Sequence, residues 1–206
     1  MSKTGIIDYG SGNLHSVVNA LKYIGADCFI SGDVKELSMA DTLILPGVGA
    51  FPDAAELICR GGMKEFVISE TKKKPLLGIC LGMQLLFSRG FEFRECEGLD
   101  LVKGDVIRLR AGENDRRYKI PHIGWNGVRT VNANPLTRGI DDGSCFYFVH
   151  SYMGMCSIPE QLYGVTEYGE QVTAIVGNGN VFGTQFHPEK SGEAGLRLLK
   201  NFVSLA

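Results

Sequence analysis

Over the first eighty positions, short and largely apolar runs alternate with amphipathic stretches. The runs are "TGIID" (4–8), "ADCFIS" (26–31), "DTLILPG" (41–47) and "KPLLGIC" (74–80). Strands buried on both faces of a sheet read this way, because neither face can be polar. After the first run, "SVVNALKYIG" puts Val17, Val18, Leu21 and Ile24 on one helical face and closes at Gly25. A helical stretch from about Asp53 to Thr71, interrupted at Gly61-Gly62, separates the third run from the fourth. Strands alternating with helices predict βαβ units around a parallel sheet.

The second half changes character. "DVIRL", "CFYFVHS", "QLYGVTEY" and "QVTAIVGNGNVFGTQF" are strand-like and separated by turns instead of helices, with "GNGN" at 177–180 predicting a hairpin. The last segment, "EAGLRLLKNFVSLA", is amphipathic, with Leu196, Leu199 and Phe202 or Val203 on one face. The expected fold is α/β: a single domain over residues 1–206 with a mixed, mainly parallel central sheet flanked by helices, and an antiparallel extension.

Composition narrows the function. In 206 residues, 44% are hydrophobic and 21% charged, with a formal net charge of −2, so no basic field exists to hold nucleic acid or an anionic membrane. Lys72-Lys73-Lys74 reads as a solvated loop. The N-terminus lacks the apolar core of a signal peptide, and no segment has the length of a membrane span. The six cysteines are scattered without a CxxC pair, and the four histidines are dispersed. The expectation is a cytoplasmic, reduced protein with no metal and no cofactor. Cys28, Cys59, Cys145 and Cys156 read as inert core residues, and His122 and His150 as structural.

One cysteine stands apart. In "PLLGICLGMQLLFS", Cys80 sits where an apolar strand turns into a predicted helix, between Gly78 and Gly82. A side chain on such a turn projects from the carboxyl edge of an α/β sheet, where ligands bind. The glycines relieve crowding there, and the N–H groups of the following helix would favour a thiolate or an oxyanion. A thiolate nucleophile needs a base, and the base an orienting group. "VFGTQFHPEKSG" offers His187 at a strand end, a turn at Pro188, and Glu189 two residues on. A bland alternative keeps His187 as a strand cap and Glu189 in solvent. "LILPGVGAF" is a strand ending in a loop whose Gly47 and Gly49 let backbone N–H groups aim at an anion.

Together G-I-C-L-G-M-Q (78–84), H-P-E (187–189) and P-G-V-G (46–49) resemble the class I (triad-type) glutamine amidotransferases, in order and separation and over essentially the whole chain. Within that family, "IIDYGSGNLHSV", "GVGAF", "HIGWN", "FYFVHSY" and "HPEKSG" look like the branch of glutaminase subunits that serves imidazole glycerol phosphate synthases. The resemblance implies that Cys80 attacks the side-chain amide of L-glutamine, that His187 shuttles protons, and that Glu189 orients His187. It implies an oxyanion hole from N–H groups of Gly47, Val48, Gly49 and Leu81. Gln84, Ser151, Tyr152 and Glu92 would contact substrate. It also implies a heterodimeric partner, a (β/α)8-barrel cyclase that receives ammonia and makes imidazole glycerol phosphate.

Other segments stay open. "GSGNLH" (10–15) fails the dinucleotide pattern at His15; the resemblance sets Asn13 at the mouth facing the cyclase, and an ordinary βα loop is the alternative. Trp125, the only tryptophan, reads as core or, by resemblance, as partner surface together with Asn126. Lys190 and Ser191 form either a helix entrance, with Ser191 as N-cap, or a partner contact. The rival functions are a glutaminase subunit delivering ammonia to a different acceptor synthase and a non-catalytic domain on a related α/β fold. The "DYGSGN" and "HIGWN" segments weigh against the first, and an intact Cys-His-Glu set against the second. Gly47 and Gly49 would also let a peptide unit flip, so that the oxyanion hole forms only on demand.

Overall fold

The structure is a computed structural model describing residues 2–111 and 117–206. Its strands in chain order are β1 (Lys3–Ile7), β2 (Asp27–Ser31), β3 (Thr42–Gly47), β4 (Leu76–Cys80), β5 (Phe87–Gly90), β6 (Cys96–Glu97) and β7 (Val102–Arg108). They continue with β8 (His122–Gly127), β9 (Arg129–Thr130), β10 (Cys145–His150), β11 (Tyr152–Cys156), β12 (Leu162–Glu167), β13 (Gln171–Asn178) and β14 (Val181–Thr184). The helices are α1 (Leu14–Tyr23), α2 (Val34–Leu37), α3 (Phe51–Ile58), α4 (Met63–Glu70), α5 (Leu81–Leu85) and α6 (Gly192–Val203).

An eight-stranded sheet runs β2-β1-β3-β4-β14-β13-β12-β9. Its first five strands pair in parallel and its last three antiparallel, matching the expected change of character at mid-chain. The predicted hairpin is present: Asn178 pairs with Val181 across Gly179-Asn180, with Gly179 at φ +59°. Buried side chains fill both faces of the sheet. Leu43, Leu45, Leu76 and Val176 lie on one side, and Ile44, Leu77, Ile79 and Ile175 on the other. That alternation through strands apolar in every position is what a sheet covered on both faces requires.

Two features depart from expectation. The helix after Cys80 lasts only five residues, and "FSRG" becomes β5, which pairs with β7 in a second sheet of order β11-β7-β5-β6. The run from Leu81 to Phe87 is buried on every side, so periodicity carries no helix signal and the β7 partner decides. Strand "CFYFVHS" does not join the main sheet either. As β10 it forms an antiparallel ribbon with β8, which holds "HIGWN".

On α6 the buried stripe is Gly195, Leu198, Leu199 and Phe202, while Leu196 is only half-buried. Gly195 explains the rotation, because a side chain there would strike the Pro188 carbonyl. The helix turns its glycine side to that turn. Ser191 stands at the N-cap position but makes no capping bond. The cysteine expectation also fails in part: Cys59 and Cys145 are exposed and Cys28 and Cys156 half-buried. Cys59 lies just past the end of α3 and Cys145 opens a ribbon strand that alternates exposed and buried positions.

Gly82 shows what the turn at Cys80 demands. A Cβ there would penetrate the Leu45 carbonyl oxygen on the neighbouring strand, and one at Gly78 would lie 2.7 Å from the Gly82 carbonyl oxygen. Both obstacles are backbone and cannot swing aside. Gly82→Ala is therefore expected to lower stability by about 3 kcal/mol, read as a fall in the urea midpoint at unchanged slope. A wild-type midpoint would refute this packing account.

Candidate active site

The carboxyl ends of β3, β4 and β14 lie side by side. Gly47 is in register with Cys80, and Thr184 with Ile79. Three segments far apart in the chain thus meet at one sheet edge: the 47–49 loop, Cys80, and the chain leaving β14 toward His187. They wall a cavity of about 300 Å³ with Gln84, Glu92, Pro121 and residues 149–152. A larger groove of about 700 Å³ lined by Tyr23, Asp141, Glu193 and Arg197 shares no residue with it.

Cys80 holds φ +56° and ψ −112°, a conformation that costs a non-glycine residue energy and persists only where the surroundings enforce it. Here Gly82 is pinned against Leu45 on one side and Gly78 lies beneath. The strained turn aims Sγ into the cavity, 3.8 Å from the Val149 carbonyl oxygen and 3.9 Å from Gln185 Nε2, while leaving Cys80 only 8% exposed. With α5 little more than one turn long, the macrodipole has few peptides to sum.

His187 lines the same cavity as Cys80, and its Nδ1 is 2.7 Å from Glu189 Oε1. Both side chains of the His187–Glu189 pair are almost fully buried. The 3₁₀ turn Pro188–Lys190 folds Glu189 back under the imidazole. The backbone is anchored too: His187 N–H donates to the Tyr147 carbonyl, and the Ser191 hydroxyl donates to the His187 carbonyl at 2.6 Å while accepting from Tyr147 N–H. That dual role is why Ser191 does not cap α6. Burial by itself pushes the His187 pKa down, but the hydrogen bonds to Cys80 and Glu189 and their charges outweigh it and raise it to about 9. Such an arrangement can pass a proton between sulfur and a bound group while the carboxylate holds the ring.

At the 47–49 loop, Gly49 has φ +103°. Val48 N–H donates to Ser11 Oγ (3.2 Å), and the Ser11 hydroxyl donates back to the Val48 carbonyl (2.6 Å). Ser11 lies in "GSGN", so this loop is tied to the first βα loop. Gln84 is on the cavity wall, but its Nε2 donates to the Tyr152 carbonyl (2.8 Å) and Gln185 Oε1 (3.0 Å), bracing the wall. Ser151 and Tyr152 line the cavity directly. Glu92 does too, and its Oε2 accepts from Phe51 N–H at 2.7 Å. Pro121, Val149 and His150 also line the cavity; Val149 and His150 lie in "FYFVHSY", where sequence reasoning took only Ser151 and Tyr152 for substrate, and Pro121 lies just before "HIGWN".

The expected partner-facing residues fare differently. Asn13 is exposed and caps α1 through Ser16 N–H, and Lys190 is exposed. Trp125 is 55% exposed beside Ile123 at 57%, which excludes the core reading. Asn126 is held at both ends, by the His122 ring and the Glu167 carbonyl. Among the described residues no group of three or more His, Cys, Asp or Glu could hold a metal ion, and no helix is long and apolar enough to cross a membrane.

The profile of the family described as "Glutamine amidotransferase class-I" matches residues 5–205, and the chain belongs to that family. Its fold is shared with a glutamine amidotransferase crystal structure (TM-score 0.75, 19% identity, 98% of this chain and 97% of the other). The Thermotoga maritima PurLQS structure is alike as well (TM-score 0.77, 19% identity, 98% of each chain). Among relatives by sequence, it is 52% identical over 199 residues to "Imidazole glycerol phosphate synthase subunit HisH" of Caldanaerobacter subterraneus subsp. tengcongensis, covering 96% of each chain. The same-named subunit of Bacillus cereus is 51% identical over 200 residues, covering 96% of this chain and 92% of the other.

The His187–Glu189 contact makes a stability prediction. With its folded value raised from 6.5 to about 9, His187 contributes stability that is complete below pH 6.5 and lost as pH rises through about 9. Glu189→Gln removes part of that raise. Its urea midpoint should fall furthest below wild type at pH values under 6.5, and the gap should narrow above pH 9. A gap independent of pH would show that the carboxylate does not stabilise the imidazolium.

Proposed function

We propose that this chain is the glutaminase subunit of an imidazole glycerol phosphate synthase in histidine biosynthesis, acting in the cytoplasm. The reading rests above all on one juxtaposition: a strained Cys80 that shares one cavity with a histidine whose Nδ1 meets a buried carboxylate. About 50% identity to subunits of that synthase supports the pathway.

In this reading Cys80 Sγ bonds to the side-chain carbonyl carbon of glutamine as its proton passes to His187. The C–N bond then breaks, His187 gives that proton to the leaving nitrogen, and ammonia departs from a γ-glutamyl thioester. Water, deprotonated by His187, attacks the thioester and releases glutamate and the thiol. Glu189 keeps the ring in the required orientation. Leu81 N–H, at the start of α5, and the N–H groups of the 47–49 loop serve the oxyanion. Ser151, Tyr152, Glu92 and the Gln84 wall enclose the substrate. Ammonia passes to a (β/α)8-barrel cyclase that docks over Asn13, Trp125, Asn126 and Lys190.

The Ser11–Val48 pair gives the resting state a physical form. Val48 N–H is spent on Ser11, so a peptide flip must break those bonds before this donor can serve the oxyanion, and Gly49 makes the flip affordable in conformational terms. One missing oxyanion donor costs about 10²–10³ in rate.

The experiment is glutamate release from glutamine by the chain alone, with the cyclase, and with the cyclase plus its nucleotide. A sharp rise only in the last mixture, lost in Cys80→Ala, is expected. Equal rates in all three would retain the chemistry and remove the gate. No stimulation of a folded chain would point to another acceptor synthase. Ser11→Ala should raise the rate of the chain alone about tenfold, the factor carried by one net hydrogen bond; an unchanged rate would show that Ser11 is not the restraint.

A further inference from the structure

His122 and His150 face each other across the β8–β10 ribbon, and neither has a role in the chemistry above. Both are buried, His122 completely. His122 Nδ1 lies 3.0 Å from His150 Nε2. The two outer nitrogens each meet an acceptor: His150 Nδ1 is 2.9 Å from the Tyr152 carbonyl oxygen, and His122 Nε2 is 2.9 Å from Asn126 Oδ1. The orientation of Asn126 follows from its other end, where Nδ2 donates to the Glu167 carbonyl at 3.0 Å; reversing the amide would set two oxygens against each other.

The proton count along this chain of contacts is decisive. The Tyr152 carbonyl requires a proton on His150 Nδ1, and Asn126 Oδ1 requires one on His122 Nε2. The central contact requires a third. Two neutral imidazoles carry two protons, so with Asn126 oriented by its Glu167 bond one of the three contacts sets lone pair against lone pair. Three protons satisfy every contact, and three protons on two imidazoles amount to one positive charge.

We propose that His122 and His150 share a third proton as a buried imidazole–imidazolium pair, and that its charge tunes the proton affinity of His187. The surroundings suit a cation. The His122 ring lies between the faces of Tyr168 (3.9 Å, 19°) and Phe148 (4.8 Å, 15°), a sandwich that attracts positive charge through both ring quadrupoles. Burial opposes the charge, pulling His150 down to about 3 and His122 below its ordinary value. Against burial stand three hydrogen bonds, of which a neutral pair makes two, and two aromatic faces that favour a cation.

The titratable groups around the pair are few. Cys80, Glu92 and His187 share the cavity wall with His150, with Glu92 engaged by Phe51 N–H and Glu189 standing behind His187. From the turn after β12 comes Tyr168, whose hydroxyl is tied to the Lys119 backbone. Tyr152 and Glu167 offer main-chain carbonyls. Among the described residues no carboxylate is hydrogen-bonded to either ring. The charge is therefore felt chiefly by His187, whose imidazolium it disfavours as one positive group beside another. The pair thereby opposes the raise that Cys80 and Glu189 impose on His187, a raise that hinders transfer of its proton to a leaving amine near neutrality. His122 and His150 act through His187 and are positioning residues.

The tuning rests on the reading of His187 as the proton carrier, whereas the proton count does not. Long-range ¹H–¹⁵N spectra of the chain labelled with ¹⁵N-histidine read both without any turnover. Near neutral pH, three of the four ring nitrogens of His122 and His150 are expected to carry protons. Two protons would overturn the proposal, and this measurement needs no variant. Asn126→Leu removes the acceptor that demands the third proton. In that variant the pair should become neutral, and the titration midpoint of His187 should rise by about one pH unit. A pair that stays charged, or a His187 midpoint that does not move when the pair loses its proton, would likewise overturn it. Loss of glutaminase activity with a correct proton count would instead strike only the functional reading of the site.

Discussion

The site depends on the passage of Gly82 across the Leu45 carbonyl, where β3 and the start of α5 come closer than any side chain permits. That contact locks the chain into the turn that holds Cys80 at φ +56°. Strain of this kind persists only if packing enforces it, and here the enforcement comes from backbone on one side and the covered core of a parallel sheet on the other. The same closeness sets the 47–49 loop beside Cys80. A nucleophile and its candidate oxyanion donors are thereby positioned by a single packing event, without a dedicated side chain.

The second support is the ribbon of β8 and β10, which lies outside the main sheet and acts as a brace. Its Tyr147 carbonyl receives His187 N–H, its Val149 carbonyl approaches Cys80 Sγ, and its His150 enters the cavity wall. Its other strand carries Trp125 and Ile123 into solvent. A displacement of the ribbon would be felt at both places. Together with the Ser11–Val48 bonds, which tie the first βα loop to the oxyanion loop, it gives the proposed docking face two mechanical connections to the chemistry.

Much was legible before any coordinates. Apolar runs of strand length, interrupted by amphipathic stretches, imply a doubly covered parallel sheet because no other packing buries both faces. The glycines flanking Cys80 and the His-Pro-Glu turn carry local steric and hydrogen-bonding meaning that survives without tertiary context. Legibility failed where burial is complete. From Leu81 to Phe87 every position is buried, so no exposed face marked a period and the end of α5 went unseen. It failed again at Ser191 and Gln84, whose polar atoms chose partners distant in the chain.

The sequence by itself determined the class of fold, the residue types at the site and the local geometry of each motif, since these follow from side-chain volume, backbone freedom and hydrophobic period. Only the tertiary structure decided which of those residues meet. Strand register set Gly47 beside Cys80, and the parallel pairing of β4 with β14 aligned the exits that lead to Cys80 and His187. Pairing of β8 with β10 placed two unremarkable histidines within a hydrogen bond of each other. Register and pairing are settled by the packing of the whole sheet, and a single turn or motif carries no record of them.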